Sequence, residues 1–185
     1  CNNHTHLLKY EGQWYIFYHN LLLKDYHDFD GGFRSICVDK IDVDEKNVKI
    51  KMTQMTRKGV DQIRPLNPFQ IQQTETVAGT LNATFAETET VGNTVLDVTG
   101  ANQTVMVRGA KFSKSPKQIV CKVKGHGSFK VCIGTPDSQP VAKVSVNSND
   151  WKNVKASIKG KVRGQQNVYF ISENGNYQFD EWKFE

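Results

Sequence analysis

Six consecutive residues, Trp-Tyr-Ile-Phe-Tyr-His at positions 14–19, restrict the fold of this chain more than any other stretch. Side chains alternate between the two faces of a β-strand, so this strand would present large apolar rings on both of its faces. Glu11-Gly12 provides a turn before it, and residues 2–10 provide a partner strand. Because a strand that is apolar on both faces is normally covered on both, we predict a hairpin within larger β-structure, with a plain core hairpin as the alternative.

Strand patterns continue through the rest of the chain. In the first part, we predict that residues 20–33 form a polar loop and that residues 43–55 form a half-exposed strand. From Phe69 onward, short apolar alternations recur between Gly, Pro, Asn and Asp at the spacing typical of a β-sandwich, without helical periodicity of useful length. The fold class is therefore predicted to be all-β. The clearest strand segments of this second part are residues 95–98, 105–107, 119–123, 129–133, 144–146 and 168–171.

Residues 56–68 mark the boundary between the two parts. They are polar and contain Pro65 and Pro68, which suit neither a helix nor a central strand. We therefore predict two domains, residues 1–67 and residues 68–185.

The first part of the chain resembles a known enzyme family. Asn2-Asn3-His4, a short strand, a Gly and the aromatic strand resemble the last blade of the five-bladed β-propeller of glycoside hydrolase family 43. The segment Gly32-Phe33-Arg34-Ser35 resembles the strand that closes this propeller. The family includes arabinofuranosidases, xylosidases and arabinanases. The resemblance implies an inverting glycoside hydrolase that acts on arabinose- or xylose-containing hemicellulose of plant cell walls.

The same resemblance implies substrate contacts but assigns no catalytic residue to this chain. In the family, a histidine at the place of His4 faces the central channel, and an arginine at the place of Arg34 reaches the sugar pocket. We therefore expect His4 and Arg34 to bind substrate, with a second ion near His4; a core histidine and a salt-bridged arginine are the structural alternatives. A propeller needs four or more blades, which residues 1–67 cannot supply. We expect the chain to be the C-terminal part of a longer protein, whose preceding propeller segment carries the catalytic acids.

Residues 68–185 resemble carbohydrate-binding module family 6, a β-sandwich with jelly-roll topology. The matching motifs occur in order at residues 67–78, 105–112, 150–154 and 177–184. In these modules an acidic residue near the start binds structural calcium. First and last strands that lie side by side would bring Glu75 next to Asp180, and paired carboxylates favour a cation that accepts hard oxygen ligands. We therefore predict calcium bound by Gln73, Glu75 and Asp180, with solvated carboxylates as the alternative.

The sugar-binding cleft departs from the family pattern. Aromatic rings provide the platforms on which sugars stack, and the family uses a Tyr, a Trp and a late Asn. Here Thr104 stands where the Trp would fall, Leu96 or its neighbours replace the Tyr, and Gln178 replaces the Asn. We therefore expect the usual cleft to be lost or altered. Three hypotheses remain for the chain: part of the hydrolase, a non-catalytic module that targets polysaccharide, and a purely structural appendage.

Charge and hydropathy restrict the partners. The net charge of +5 would suit nucleic acid, but the lysines are scattered among acidic residues and no nucleic-acid-binding motif accompanies them. No apolar run is long enough to span a membrane. We therefore expect neither nucleic acid nor membrane as a partner, and the substrate class implies an extracellular or cell-surface protein.

The cysteines show no disulfide framework. The segment between Cys121 and Cys132 is predicted to be a hairpin that turns at Gly125-His126-Gly127. That register would place the two thiols on opposite faces of the sheet and leave them unlinked.

Overall fold

The structure is a computed structural model, and it describes residues 4–28, 30–31 and 34–185. Four residues of the predicted propeller motifs lie outside the described residues: Asn2, Asn3, Gly32 and Phe33. Strands dominate the described part of the chain, so the all-β prediction is confirmed. The one helix found in that part has six residues, and no helix there is long and apolar enough to cross a membrane.

The chain divides into two compact units, Cys1–Ile63 and Arg64–Glu185, which we call the blade unit and the sandwich unit. The sequence predicted this boundary a few residues later. Leu66 explains the difference, because its backbone N–H donates to the carbonyl of Gly109 (3.1 Å) and its carbonyl accepts from the N–H of Lys111 (2.9 Å). These hydrogen bonds attach Leu66 to the sandwich unit.

The described elements of the blade unit are β1 (His6–Tyr10), β2 (Gln13–Asn20), α1 (Leu22–His27), β3 (Ser35–Ile41), β4 (Val43–Asp44) and β5 (Lys49–Ile50). The first three strands form an antiparallel sheet in the order β1–β2–β3. Glu11 and Gly12 join β1 to β2, both with positive φ, as the hairpin prediction requires. Tyr15 and Tyr18 lie on opposite faces of β2 and both are buried, so this strand is covered on both sides.

Two predictions for the blade unit are wrong. Part of the predicted polar loop forms α1, where the Asn20 side chain accepts a hydrogen bond from the N–H of Leu22 (3.1 Å). A helix this short is below the length at which periodicity is visible in a sequence. The predicted strand over residues 43–55 contains only β4 and β5. The Asp44 carboxylate accepts hydrogen bonds from the backbone and side-chain N–H groups of Asn47, which turns the chain back between them.

The elements of the sandwich unit are β6 (Gln72–Gln73), β7 (Gly79–Leu81), β8 (Thr84–Glu87), β9 (Thr94–Thr99), β10 (Thr104–Phe112), β11 (Gln118–Ile133), β12 (Ala142–Ser157) and β13 (Gly164–Phe184). They form one sheet with the order β12–β11–β13–β10–β7. β13 is central, because it also pairs with β6 and β9. The sheet encloses an apolar core in which the rings of Phe129, Phe170, Phe179 and Trp182 pack together, with neighbouring centroids 4.9–5.2 Å apart.

The predicted hairpin between Cys121 and Cys132 is wrong, because β11 is one continuous strand. The glycines at its middle permit close approach to β13 and make no turn. A Cβ at Gly125 would lie only 2.6 Å from the carbonyl oxygen of Asn176. Cys121 and Cys132 are nevertheless free, as predicted, and burial raises the pKa of both thiols. The two cysteines are too far apart along the same strand to form a disulfide bond, whichever face of the sheet each thiol lies on.

Candidate functional site

The predicted substrate-binding residues lie at one end of the sheet of the blade unit. His4 precedes β1, and its ring centroid lies 6.3 Å from that of His19 near the end of β2. Arg34 directly precedes β3, whose Ser35 pairs with Asn20 at the end of β2. The start of β1, the end of β2 and the start of β3 therefore bring His4 and Arg34 to the same end. Both are exposed, and the Arg34 guanidinium has no hydrogen-bond or ion-pair partner among the described residues.

An open depression of about 580 Å³ lies at this end of the blade unit. Its lining combines apolar side chains with a carboxylate and a guanidinium: Asn20, Leu22, Asp25, Ser35, Ile36, Cys37, Thr56 and Arg57. Concave surfaces that combine apolar walls with a few polar groups are where small ligands commonly bind. The depression lies at the end of the sheet that carries His4 and Arg34, but neither of these residues is among those that line it.

A buried carboxylate fastens the segment after β5 to the sheet. Asp39 on β3 accepts hydrogen bonds from the Tyr18 hydroxyl (2.6 Å), from the N–H of Thr56 (3.0 Å) and from the Thr56 hydroxyl. The N–H of Gly59 donates to the same Thr56 hydroxyl (2.9 Å). Burial alone would raise the pKa of Asp39, but the hydrogen bonds from Thr56 and Tyr18 outweigh it and hold the pKa below its ordinary value. Asp39 is therefore an ionised structural group.

We expect Asp39 to make the blade unit sensitive to acid. A carboxylate with a lower pKa in the folded state contributes stability above its unfolded-state pKa, and this contribution is lost as pH falls through the folded-state value. Thermal unfolding measured from neutral pH downward should show a loss of stability below about pH 4, and Asp39→Asn should reduce that loss. The control is Asp42→Asn, which removes an exposed carboxylate 3.6 Å from Lys51. The same pH profile in both variants would contradict the role of Asp39.

The sandwich unit carries a polar groove of about 390 Å³, which we call the Trp151 groove. It is lined by Glu87, Thr88, Glu89, Thr90, Asn93, Lys122, Lys124, Trp151, Gln178 and Asp180. Trp151 is half-buried, and the Gln178 carboxamide donates to Asp97 (3.4 Å). The groove thus combines one large ring with carboxamide and charged groups, which is the combination that binds a molecule with one apolar face and several hydroxyls.

Two bulges, one on each neighbour of β11, bring Trp151 and Asp180 close to Lys122. On β12, the three residues 149–151 lie opposite the single Lys124 of β11. On β13, Asp180 is an extra residue, because its neighbour Glu181 already pairs with Lys122. Bulges bend a strand and redirect its side chains. Here they direct the indole ring and the carboxylate toward Lys122 from two sides.

Lys122 contacts both of these groups. Its Nζ lies 2.7 Å from Oδ2 of Asp180 and 5.8 Å from the centroid of the Trp151 ring. The Asp180 side chain is only 2% exposed, and Asn93 donates a long hydrogen bond to its Oδ1 (3.5 Å). The hydrogen bond to Asp180 raises the pKa of Lys122, so the lysine is charged at neutral pH. The charge of the buried carboxylate is therefore compensated by an ammonium group of the same unit.

The predicted calcium ligands lie in two different environments. Gln73 and Glu75 each have a buried side-chain oxygen, Oε1 and Oε2 respectively, with no hydrogen-bond partner among the described residues. Buried acceptors without donors fit a cation that takes oxygen ligands. Asp180 lies on the adjacent strand, where its carbonyl accepts from both the N–H and the hydroxyl of Thr74 (2.7 Å each), but its carboxylate is held by Lys122. Within the described ranges, no group of three or more His, Cys, Asp and Glu side chains could hold a metal ion.

Comparisons with known proteins agree with this organisation. No family model matches the sequence. Over 99% of its length, the chain is 25% identical to an arabinoxylan arabinofuranohydrolase of Paenibacillus polymyxa, of which it spans 31%. Its fold matches a glycoside hydrolase family 43 arabinoxylan arabinofuranohydrolase from Bacillus subtilis, solved in complex with cellotetraose, with a TM-score of 0.85 at 23% identity, covering 100% of this chain and 41% of that chain. The predicted resemblance is confirmed.

The sandwich unit alone matches isolated modules. A family 6 carbohydrate-binding module from Clostridium cellulolyticum, solved in complex with xylose, matches 64% of this chain and 98% of its own length, with a TM-score of 0.59. The identity is 12%, so this similarity concerns the fold. The prediction of a propeller blade followed by a β-sandwich is thereby confirmed.

Trp151 and Lys122 were not predicted as site residues from the sequence. Trp151 was predicted only as part of a late strand, and the position expected for the platform, Thr104, lies within the sheet opposite Leu81 and Ile171. The available signal was a Trp between polar residues on both sides, at residues 149–153. For Lys122 no signal existed, because its contacts depend on two bulges.

Proposed function

We propose that this chain is the C-terminal part of an inverting glycoside hydrolase that acts on arabinose- or xylose-containing hemicellulose, outside the cell or at its surface. The similarity along nearly the whole chain to an arabinoxylan arabinofuranohydrolase carries this proposal. The chain spans about a third of that relative, and we propose that the catalytic acids lie in the part of the protein that precedes it. An inverting enzyme holds its two carboxyl groups about 6.5–9.5 Å apart so that water fits between them. We assign no catalytic acid to this chain.

In this proposal the blade unit closes the propeller and contributes substrate contacts. The Arg34 guanidinium suits the task because its planar fork engages paired acceptors and never loses its charge. His4 at the same end of the sheet holds a water molecule or a second ion. The edge strand β1 exposes Leu7, Leu8 and Tyr10, each by 36–42%, which supports a preceding propeller segment that covers it.

The sandwich unit is proposed to be an accessory module that binds plant cell-wall polysaccharide weakly. Trp151 offers a ring on which a sugar stacks its apolar face, and Gln178 and Asn93 offer carboxamides to the hydroxyls. A purely structural appendage is the second candidate. The contact of Lys122 with the Trp151 ring favours it, because the ammonium group occupies part of the stacking surface.

Affinity electrophoresis through gels that contain arabinoxylan distinguishes the two candidates, because it detects weak, millimolar-range binding. We expect the polysaccharide to retard the chain slightly and Trp151→Ala to abolish this retardation. Phe85→Ala is the matched control, because it removes another partly exposed aromatic ring of the same unit that does not line the groove. Equal mobility of the parent and both variants would favour the structural appendage.

We also propose that the sandwich unit holds one structural calcium ion through Gln73, Glu75 and Asp180. The support is the pair of buried oxygens on Gln73 and Glu75 that no donor satisfies among the described residues. Bound calcium would neutralise the Glu75 carboxylate and link the segment that carries Gln73 and Glu75 to β13. The ion has no part in the hydrolytic chemistry.

Removal of calcium should lower the melting temperature of the sandwich unit. An ion present at about 100 times its dissociation constant stabilises the folded state by about 2.7 kcal/mol, or roughly 5–10 °C for a chain of this size. Thermal unfolding with a chelator and with added calcium measures this shift. In Glu75→Gln the shift should largely disappear, whereas added magnesium should not restore it in the parent. A chelator that leaves the parent melting curve unmoved would show that the site holds no ion.

A further inference from the structure

The position of Lys122 has a consequence for what the Trp151 groove can bind. A sugar that stacks on an indole must come into van der Waals contact with the ring face. The Lys122 ammonium already lies over that ring, 5.8 Å from its centroid. A stacked sugar and this ammonium therefore compete for the same surface.

Asp180 holds the ammonium in place. The ion pair is short, at 2.7 Å, and the carboxylate is almost completely buried. Movement of Lys122 away from the ring would break a charge-assisted hydrogen bond and leave Asp180 with only the long hydrogen bond from Asn93. Glu181, 3.7 Å from the same ammonium, adds a second attraction. Among the described residues, Lys122 is thus the main partner of the Asp180 carboxylate, and this pairing holds its ammonium group over Trp151.

We propose that Lys122 is a built-in lid on the sugar platform of the sandwich unit, with Asp180 as its anchor. This inference rests on the sugar-binding role proposed for the Trp151 groove. Ligands of the groove are neutral pentose- or hexose-based oligosaccharides, and each must displace the ammonium before it stacks. The lid lowers the affinity for all of them, which agrees with the weak polysaccharide binding proposed for this unit.

The test removes the lid without leaving a buried charge. Lys122→Met combined with Asp180→Asn replaces the ion pair by neutral side chains of similar size, and Asn at 180 still offers a hydrogen-bonding partner to Asn93. Isothermal titration of the full chain with xylotetraose and with cellotetraose should show at least about tenfold tighter binding in the double variant, because no charge-assisted hydrogen bond has to be broken. Adding Trp151→Ala should remove the gain.

Two further variants make the result specific. Asp180→Asn alone releases the anchor and leaves no unpaired carboxylate, so it should also tighten binding and serves if the double variant fails to fold. Lys143→Met with Glu173→Gln removes a similar ion pair between β12 and β13, at 2.9 Å, that does not line the groove, and should leave the affinity unchanged. All titrations are made with and without calcium, because Asp180 is also a proposed calcium ligand.

The outcomes separate the lid from the sugar site. Tighter binding in the variants that lack the Lys122–Asp180 pair, lost again with Trp151→Ala, supports the lid. If Trp151→Ala abolishes the weak binding of the parent but neither lid variant binds more tightly than the parent, the lid is wrong and the sugar site stands. If Trp151→Ala does not change the affinity in any background, the proposed sugar site is wrong, and the lid that rests on it is wrong too.

Discussion

Gly175→Ala should strongly destabilise the sandwich unit. Gly175 pairs with Gly127 of the neighbouring strand β11, and a Cβ at Gly175 would lie 2.1 Å from the carbonyl oxygen of His126 and 2.4 Å from the Cα of Gly127. Both atoms are backbone, so no rotamer change relieves the overlap. We expect a loss of about 3–4 kcal/mol from overpacking together with positive-φ strain, or roughly 10 °C in melting temperature.

A second glycine separates the two causes. Gly92 has nearly the same φ as Gly175, +81° against +88°, but a Cβ there would have nothing within 4 Å. Gly92→Ala should therefore show only the positive-φ cost, about 1–2 kcal/mol. Thermal unfolding followed by near-ultraviolet circular dichroism gives both values. Similar losses in the two variants would mean that β11 and β13 do not approach as closely as described.

Arg34→Ala in the complete protein should reduce kcat/KM on arabinoxylan by about 100-fold or more, while leaving the melting temperature nearly unchanged. The Arg34 guanidinium has no partner among the described residues, so its removal breaks no described contact of the blade unit. A positioned cation beside the reacting sugar acts mainly on the transition state, so the loss should be larger in kcat than in KM. Arg34→Lys keeps the charge without the planar fork and should restore only part of the activity.

The matched control for this experiment is Arg163→Ala, which removes an exposed arginine from the sandwich unit. It should change neither kinetic constant. Unchanged kcat/KM in Arg34→Ala would show that Arg34 is not a substrate contact, and a large fall in melting temperature would instead mark it as structural.

The pattern of apolar residues predicted the strands of this chain well wherever burial determines which side chains are apolar. The hairpin through Glu11 and Gly12 and the strand of residues 14–19 follow from that pattern alone, and the structure contains both. Short elements were missed. α1 has only six residues, and the turn at Asp44 depends on a single carboxylate, so neither leaves a periodic trace in the sequence.

Glycine positions led to a wrong prediction, because glycine serves both in turns and where two backbones approach closely. Gly-x-Gly at residues 125–127 is a common turn signal, yet here both glycines permit the approach of a neighbouring backbone. Distinguishing the two needs knowledge of what lies opposite, which for Gly127 is Gly175, far along the chain. The contacts of Lys122 escaped prediction for the same reason, because bulges on both neighbouring strands bring Trp151 and Asp180 to it.

The central place of β13 affects how the sandwich unit can be made in the cell. Strands β6, β9, β10 and β11 all pair with this one strand, which is the last element of the unit to be synthesised. Until it has left the ribosome, those four strands have unpaired edges that other chains can join. Pairing across such long sequence separations is also slow. We therefore expect this unit to complete its folding only after β13 has been synthesised, and its unpaired strand edges to be exposed until then.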